Sequence, residues 1–309
     1  YKYPSGDAPL GVSYLAAYVK KHHDCNIEII DTTFHKNKEE IKKILSIKKY
    51  DLVGISVMTT MLNDGLNIAQ FIKQINPLTK IIFGGPHPTV MPEATLTNEN
   101  VDAICIGEGE LALLEIVKRQ GNFKDVSGIW YKENGKIIKN EPNSYLNNLD
   151  DLPFPALELL PIEKYISKWF QLDSVATNLK GVNIISSRGC PYKCTYCQPT
   201  LFHIFGNKVR KRSAENIVDE LEHLKNRYGI SAFMFQDDTF VFDKEWVKQV
   251  CDLMIKKELN LVWGCNARAN LVTEELFSVM KAAGLRKVFM GIESGSQRIL
   301  DEIYDKRIT

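Results

Sequence analysis

The sequence predicts an α/β protein made of two successive blocks, and three observations carry that prediction. Apolar, β-branched runs alternate with stretches of helical periodicity, first from residue 10 to about 118 and again from about 182 to 292. Small, polar and acidic residues collect where the strands of each block should end, and ligands of open parallel sheets bind there. One such end carries three closely spaced cysteines, Cys190, Cys194 and Cys197.

In the first block the pattern gives helices over 10–21, 39–47, 64–75, 92–96 and 110–117. Strands are expected over 26–30, 52–57, 80–83 and 103–106. Such alternation predicts a parallel sheet with helices on both faces. Residues 121–180 break the rhythm. Two strands over 126–132 and 136–140 flank Glu133-Asn134-Gly135 and read as a hairpin, because Asn-Gly suits a type I′ turn. Leu149-Asp150-Asp151-Leu152-Pro153-Phe154-Pro155 reads as a proline-stiffened connector. The second block then gives strands over 182–186, 232–235, 261–265 and 287–292, with helices over 214–228, 244–258 and 273–283. Ser213 and Thr273 are the expected N-caps, and Gly229 and Gly284 the helix stops. The expected domains are therefore 1–120, a hairpin and linker over 121–180, and 181–309.

A chain of 309 residues can bury two cores. With 39 basic and 38 acidic side chains it has no electrostatic reason to seek nucleic acid or an anionic membrane. The sequence shows no apolar run of membrane-spanning length and no signal peptide. Its seven cysteines are not spread as a disulfide framework, which points to a reducing, cytoplasmic setting. The chain opens on Tyr1 and stops at Thr309 within an expected helix, so both ends read as cut.

The run Ser187-Arg188-Gly189-Cys190-Pro191-Tyr192-Lys193-Cys194-Thr195-Tyr196-Cys197 offers three thiolates on a Gly- and Pro-containing loop after a strand. Three thiolates can hold three corners of a [4Fe–4S] cube and leave the fourth iron without a protein ligand. A structural zinc site with His203 as fourth ligand is the alternative, disfavoured because zinc pairs are spaced differently and Cys251 and Cys265 are remote. Cys25, Cys105 and Cys251 read as core thiols, and Cys265 could face a barrel interior.

This CxxxCxxC loop, with aromatic Tyr196 before the last cysteine, resembles the radical S-adenosylmethionine (SAM) superfamily. The resemblance implies a partial (β/α)₆ barrel, SAM on the open iron, and cleavage of SAM to a 5′-deoxyadenosyl radical. It also implies an electron donor such as flavodoxin or ferredoxin. On the strand ends, Gln236, Asp237, Arg268, Glu293 and Ser294 are the implied SAM contacts, with Arg268 opposite the carboxylate and Glu293 accepting from the ribose. Taken by themselves these residues could equally be caps or salt-bridge partners, and Asp237-Asp238 could be a metal site or an acid–base pair.

In the first block, Gly-Ile-Ser-Val-Met-Thr-Thr, Gly-Gly-Pro-His-Pro-Thr-Val-Met-Pro-Glu and Ile-Gly-Glu-Gly-Glu follow in order. They resemble the cobalamin-binding domain of the B12-dependent branch of that superfamily, a Rossmann-like domain whose first strand is missing here. The resemblance implies cobalamin held by Ser56, Met58, Thr59, Gly84, Gly85, His87, Gly107, Glu108 and Gly109. Many such domains supply a cobalt-ligating histidine from a DxHxxG motif. The equivalent stretch, Ser5-Gly6-Asp7-Ala8-Pro9-Leu10-Gly11, has none. Base-off cobalamin without a histidine ligand is thus expected, lying against Pro9 and Leu10. His87 is read as a solvent-facing residue or a hydrogen-bond partner of cofactor amides rather than a cobalt ligand. The expected activity is methyl transfer to an unactivated carbon or phosphorus centre. Radical cyclisation or rearrangement of the magnesium-protoporphyrin cyclase type, and cofactor binding without turnover, are the alternatives.

Overall fold

The computed structural model describes residues 6–35, 37–197, 200–206 and 208–308, which form two compact units. The first unit contains residues 11–146 and 200–206. It runs α1 (Leu10–His22), α2 (Lys38–Ile47), β1 (Leu52–Ser56), α3 (Leu62–Ile75), β2 (Lys80–Gly84), α4 (Pro86–Val90), α5 (Pro92–Leu96), β3 (Ala103–Cys105), α6 (Glu110–Lys118), β4 (Ile129–Glu133) and β5 (Lys136–Lys139). Strands β1, β2 and β3 are parallel, as their helical crossovers require. Burial of Ile81, Phe83 and Ile104 against Ala69 and Ile72 of α3 forms the core on one side.

The hairpin β4–β5 continues this same sheet, antiparallel to β3, in the order β1-β2-β3-β4-β5. Asn134 and Gly135 both take positive φ, as a type I′ turn needs. Ile129 and Tyr131 are buried beside Ala112 and Ile116, so the hairpin's alternating apolar face completes the core under α6.

Residues 26–30 do not form the expected strand. Their alternation is real: Ile27 and Ile29 are half-buried between exposed Asn26 and Glu28. Glu28 is spent on Lys48 and on the Tyr50 hydroxyl. A period-two pattern specifies a buried face, but a ladder needs a backbone partner as well.

The second unit contains residues 6–10, 147–197 and 208–308. After α7 (Ile162–Lys168) come β6 (Gly181–Ile184), the short β7 (Ser187–Arg188), α8 (Thr200–Phe205, grouped with the first unit), β8 (Arg210–Lys211), α9 (Ala214–Tyr228), β9 (Ala232–Phe235), α10 (Lys244–Lys256), β10 (Val262–Ala267), α11 (Glu274–Ala282) and β11 (Leu285–Met290). The four long strands are all parallel in the order β11-β10-β9-β6. Ser213 and Thr273 cap α9 and α11 through their side chains, and Gly229 ends α9 at a φ of +63°. Trp169 and Leu172 pack against Ala232 and Met234, closing one face of the sheet with residues from the connector.

Two further expectations change. Residues 6–10 belong to the second unit: Asp7 Oδ1 accepts from Asn183 Nδ2 at 2.7 Å and from Gln171 Nε2 at 2.9 Å. Gly6 sits where any Cβ would collide with the backbone of Lys168 and Trp169. Leu10 and Gly11 open α1, and Ser5 lies outside the described residues. At the other end the helical turn Ile299–Ile303 is followed by Tyr304 and an irregular segment, with Thr309 outside the described residues. Among the described residues no helix is long and apolar enough to cross a membrane.

Candidate functional site

The cysteine loop leaves β6 and meets the carboxyl ends of the other three strands of its sheet. Its base is fixed by Asp237 at the end of β9. That carboxylate is 2% exposed and accepts from the Ser186 N–H at 3.2 Å, the Ser186 hydroxyl at 2.9 Å and the Ser187 hydroxyl. Burial raises the Asp237 pKa, and these donors oppose the rise. The Gln236 N–H donates to Ile184 O at 2.8 Å while its side chain stays exposed. Asn266 of β10 donates to Asp237 O at 3.0 Å.

Of the three thiols, Cys194 is buried, Cys190 half-buried and Cys197 exposed. Arg268, at the end of β10, is itself buried. It donates from Nη1 to Cys194 Sγ at 3.3 Å, lies 3.9 Å from the centre of the Tyr192 ring, and bonds Asn270 through Nε. The guanidinium sets a fixed positive charge and a donor directly on the buried sulfur. Cys190 Sγ lies 3.7 Å from the Thr239 hydroxyl. The Cys197 N–H donates to Cys194 O at 3.0 Å. Local burial, with the two neighbouring thiols after it, pushes the Cys197 pKa up.

Among the described residues no three His, Cys, Asp or Glu side chains gather closely enough to share one metal ion. A cube is a different demand, since each cysteine takes its own iron. Three sulfurs on one turn, within one another's field and with a cationic donor on the buried member, fit that donor set. His203 lies in α8, grouped with the first unit.

The end of β11 supplies the fourth side. Tyr196 donates to Glu293 Oε1 at 3.3 Å, and Lys306 Nζ donates to the Tyr196 oxygen at 2.7 Å and to Glu293 Oε1 at 3.2 Å. Burial is the main cause of a raised Tyr196 pKa, so the phenol stays protonated. Ser294 forms a turn by accepting the Ser296 N–H at 3.1 Å. Asp238 is exposed, but local desolvation and the Asp237 carboxylate push its pKa up to about 6. The structure thus brings Tyr196, Arg268, Glu293 and the cysteines to one edge, and puts Asp237 beneath the loop.

The first unit gathers its own strand ends. The Val57 N–H donates to Gly84 O at 3.0 Å and the His87 N–H to Val57 O at 3.2 Å, joining the loops after β1 and β2. Gly85 has φ +93°, and a Cβ there would stand 2.9 Å from the Ser56 hydroxyl. The Gly107 N–H donates to the Thr89 hydroxyl at 3.0 Å, which brings in the loop after β3. Glu108 is buried, Gly109 precedes α6, and Met58 and Thr59 are exposed. Helix α8 packs on α4, and the Ile204 carbonyl lies 3.2 Å from where a Gly107 Cβ would be.

His87 is 6% exposed rather than solvent-facing. Its Nδ1 is 3.0 Å from the Thr59 hydroxyl, and its Nε2 is buried without a hydrogen-bond partner. An orphaned buried nitrogen costs stability and calls for a partner, and a polar cofactor edge is one that fits here. Cys105, Cys251 and Cys265 are buried, and burial pushes the Cys105 and Cys251 pKa values up to about 12, so these are inert. Cys25 is half-buried in a loop rather than in a strand core.

Sequence reasoning passed over Lys306, Tyr192, Thr239 and Asn266. Thr239 was within reach of the motif Asp237-Asp238-Thr239. Nothing local distinguishes Lys306 from the chain's other lysines.

Residues 7–117 match the B12 binding domain family model, and residues 184–309 match that of the Radical SAM superfamily. The chain belongs to the radical SAM superfamily, in the group whose members carry a B12-binding domain ahead of the radical SAM domain. It is 36% identical over 305 residues to an uncharacterized methyltransferase of Pyrococcus horikoshii, covering 96% of this chain and 62% of that one. It is 30% identical to the cytidylyl-2-hydroxyethylphosphonate methyltransferase of Streptomyces wedmorensis, covering 96% and 63%. It is 28% identical to the anaerobic magnesium-protoporphyrin IX monomethyl ester cyclase of Rubrivivax gelatinosus, covering 96% and 53%. The chain spans at most about three fifths of the length of these relatives. The fold is shared with the cobalamin-dependent SAM radical enzyme OxsB, solved with aqua-cobalamin and SAM bound, at a TM-score of 0.82 and 23% identity, covering 100% of this chain and 44% of that one.

Proposed function

We propose that this chain is the cofactor-binding core of a cobalamin-dependent radical SAM enzyme that transfers a methyl group to an unactivated carbon or phosphorus centre. The observation that carries this reading is the convergence of the cysteine loop, Arg268 and Glu293 on one sheet edge. When bound, the cluster supplies the electron that splits SAM into methionine and a 5′-deoxyadenosyl radical, and cobalamin serves as methyl carrier.

The remaining work falls to the chain's own groups. Cys190, Cys194 and Cys197 would hold three irons and leave one open. Arg268 holds the Cys194 sulfur in place, and Asp237 anchors the loop through Ser186 and Ser187. Glu293, whose Oε1 is held by Tyr196 and Lys306, would accept from a ribose hydroxyl, with Gln236 and Ser294 as further SAM contacts. In the first unit Ser56, Met58, Thr59, Gly84, Gly85, Gly107, Glu108 and Gly109 would line the cobalamin cleft, and His87 Nε2 would take a polar group of the corrin periphery. An electron donor of the flavodoxin or ferredoxin class and a reducing, cytoplasmic setting complete the reading.

The test is anaerobic reconstitution followed by reduction with SAM present. Release of 5′-deoxyadenosine is expected, and its absence from protein carrying a full cluster would count against the enzyme reading. Radical cyclisation is the second reading, favoured by the likeness to the Rubrivivax cyclase. Labelled methyl from SAM appearing in a product separates the two.

A further inference from the structure

Lys306 stands where a cation is costly to place. Its side chain is only 7% exposed, and a buried ammonium is tolerated only when paired and hydrogen-bonded. It meets that condition through Tyr196 at 2.7 Å and Glu293 at 3.2 Å, with its Nζ 5.4 Å from the centre of the Tyr196 ring.

The surrounding chain is shaped to this pair. Gly291 has no side chain, and a Cβ there would collide with the Glu293 carboxylate and stand 3.1 Å from Lys306 Nζ. Glu293 takes a φ of +67°, a left-handed conformation that costs a non-glycine residue on the order of 1 kcal/mol. The segment bearing Lys306 is tied to the cysteine turn by a second route. The Thr195 N–H donates to Tyr304 O at 3.0 Å, the Thr195 hydroxyl to Ile303 O at 2.8 Å, and Tyr304 meets Tyr196 edge-on at 5.4 Å. A strained glutamate and a buried lysine therefore hold each other in place beside the Cys194–Cys197 turn.

We propose that Lys306 is a positioning residue of the SAM site. It fixes Glu293 and Tyr196 against the cysteine turn and sets a buried positive charge beside that turn, through Tyr196, that eases reduction of a cluster held there. The inference rests on the radical SAM reading given above. A nearby buried cation stabilises the more negative, reduced form of a cluster over the oxidised form, so it raises the reduction potential. Lys306 Nζ bonds Tyr196, the residue next to Cys197, as Arg268 bonds Cys194 directly.

The experiment compares wild type, Lys306→Met and Lys306→Arg after anaerobic reconstitution to equal iron and sulfide content. Two quantities are read: the SAM dissociation constant by equilibrium dialysis, and the cluster midpoint potential by redox titration. Lys306→Met is expected to bind SAM about tenfold more weakly, the scale of one hydrogen bond to a charged group, and to show a more negative potential. Lys306→Arg is expected to restore the potential and part of the affinity. Equal affinity and equal potential in wild type and Lys306→Met overturn the proposal. Should Lys306→Met take up no cluster, Gly291→Ala decides, because it keeps the cation and crowds the pair. Weaker SAM binding with an unshifted potential supports the proposal, and unchanged binding overturns it. Wild-type protein that carries a cluster yet binds no SAM instead overturns the reading of the site as a whole.

Discussion

Both sheets gather their loops at the carboxyl ends of parallel strands, yet the two edges are built from different materials. The first is tied by backbone hydrogen bonds and small residues, with Gly85 and Gly107 letting its loops pack closely and His87 Nε2 as its one orphaned buried side-chain atom among the described residues. The second is crowded with ionisable groups, several of them paired with a named neighbour: Cys194 with Arg268, Glu293 with Lys306, Asp237 with Ser186 and Ser187. A broad neutral cofactor is gripped by shape and peripheral polar contacts, whereas redox and charged ligands need fixed charges nearby. The same edge of the same fold class serves both because function resides in the loops.

The sharpest break of this contrast is Cys194→Ala. If the second edge is a cluster site, this variant should lose its [4Fe–4S] absorbance and all SAM cleavage, while cobalamin retention by the first edge stays unchanged in equilibrium dialysis. Next in size is Asp237→Ala, which strands the Ser186 and Ser187 donors in a buried place and should cost about 2–3 kcal/mol in urea unfolding. A cost near zero would mean that water replaces the carboxylate.

His87→Leu probes the first edge in the opposite sense. Removing an orphaned buried nitrogen should make the cobalamin-free protein more stable by about 1 kcal/mol, yet weaken cobalamin retention. Loss of stability without cobalamin would instead assign His87 a structural role with Thr59. Electron paramagnetic resonance of the cobalt(II) form should show no nitrogen splitting that disappears in this variant.

The smallest effect concerns Asp238. Its pKa of about 6 lies above the ordinary carboxylate value, so the folded state holds its proton more tightly and loses stability as pH rises through that range. Because Asp238 is exposed, solvent screening reduces the effect to a few tenths of a kcal/mol. Asp238→Asn should be slightly more stable than wild type at pH 8 and no different near pH 4, as read from urea midpoints at the two pH values.

Much of the fold is legible locally. Helix α9 and its Ser213 cap, the Asn134-Gly135 turn and the four parallel strands of the second sheet follow from periodicity and turn chemistry. Other placements depend on distant residues. Residues 26–30 have the alternation of a strand but no ladder partner among the described residues, and residues 6–10 are held by Asn183 and Gln171, far along the chain.

What the sequence alone determined is therefore the raw material of the chemistry: three thiols at a spacing suited to a cube, glycine-containing loops after the strands of the first sheet, and an α/β order that puts both at strand ends. Tertiary structure decided the pairing of the polar groups. Arg268 turns to Cys194 and the Tyr192 ring, Glu293 is held by Lys306, and His87 is buried with one nitrogen unanswered. Local periodicity encodes which face of an element is buried, but the partner a buried charge finds depends on which strand ends meet, and that is fixed only when the sheet assembles.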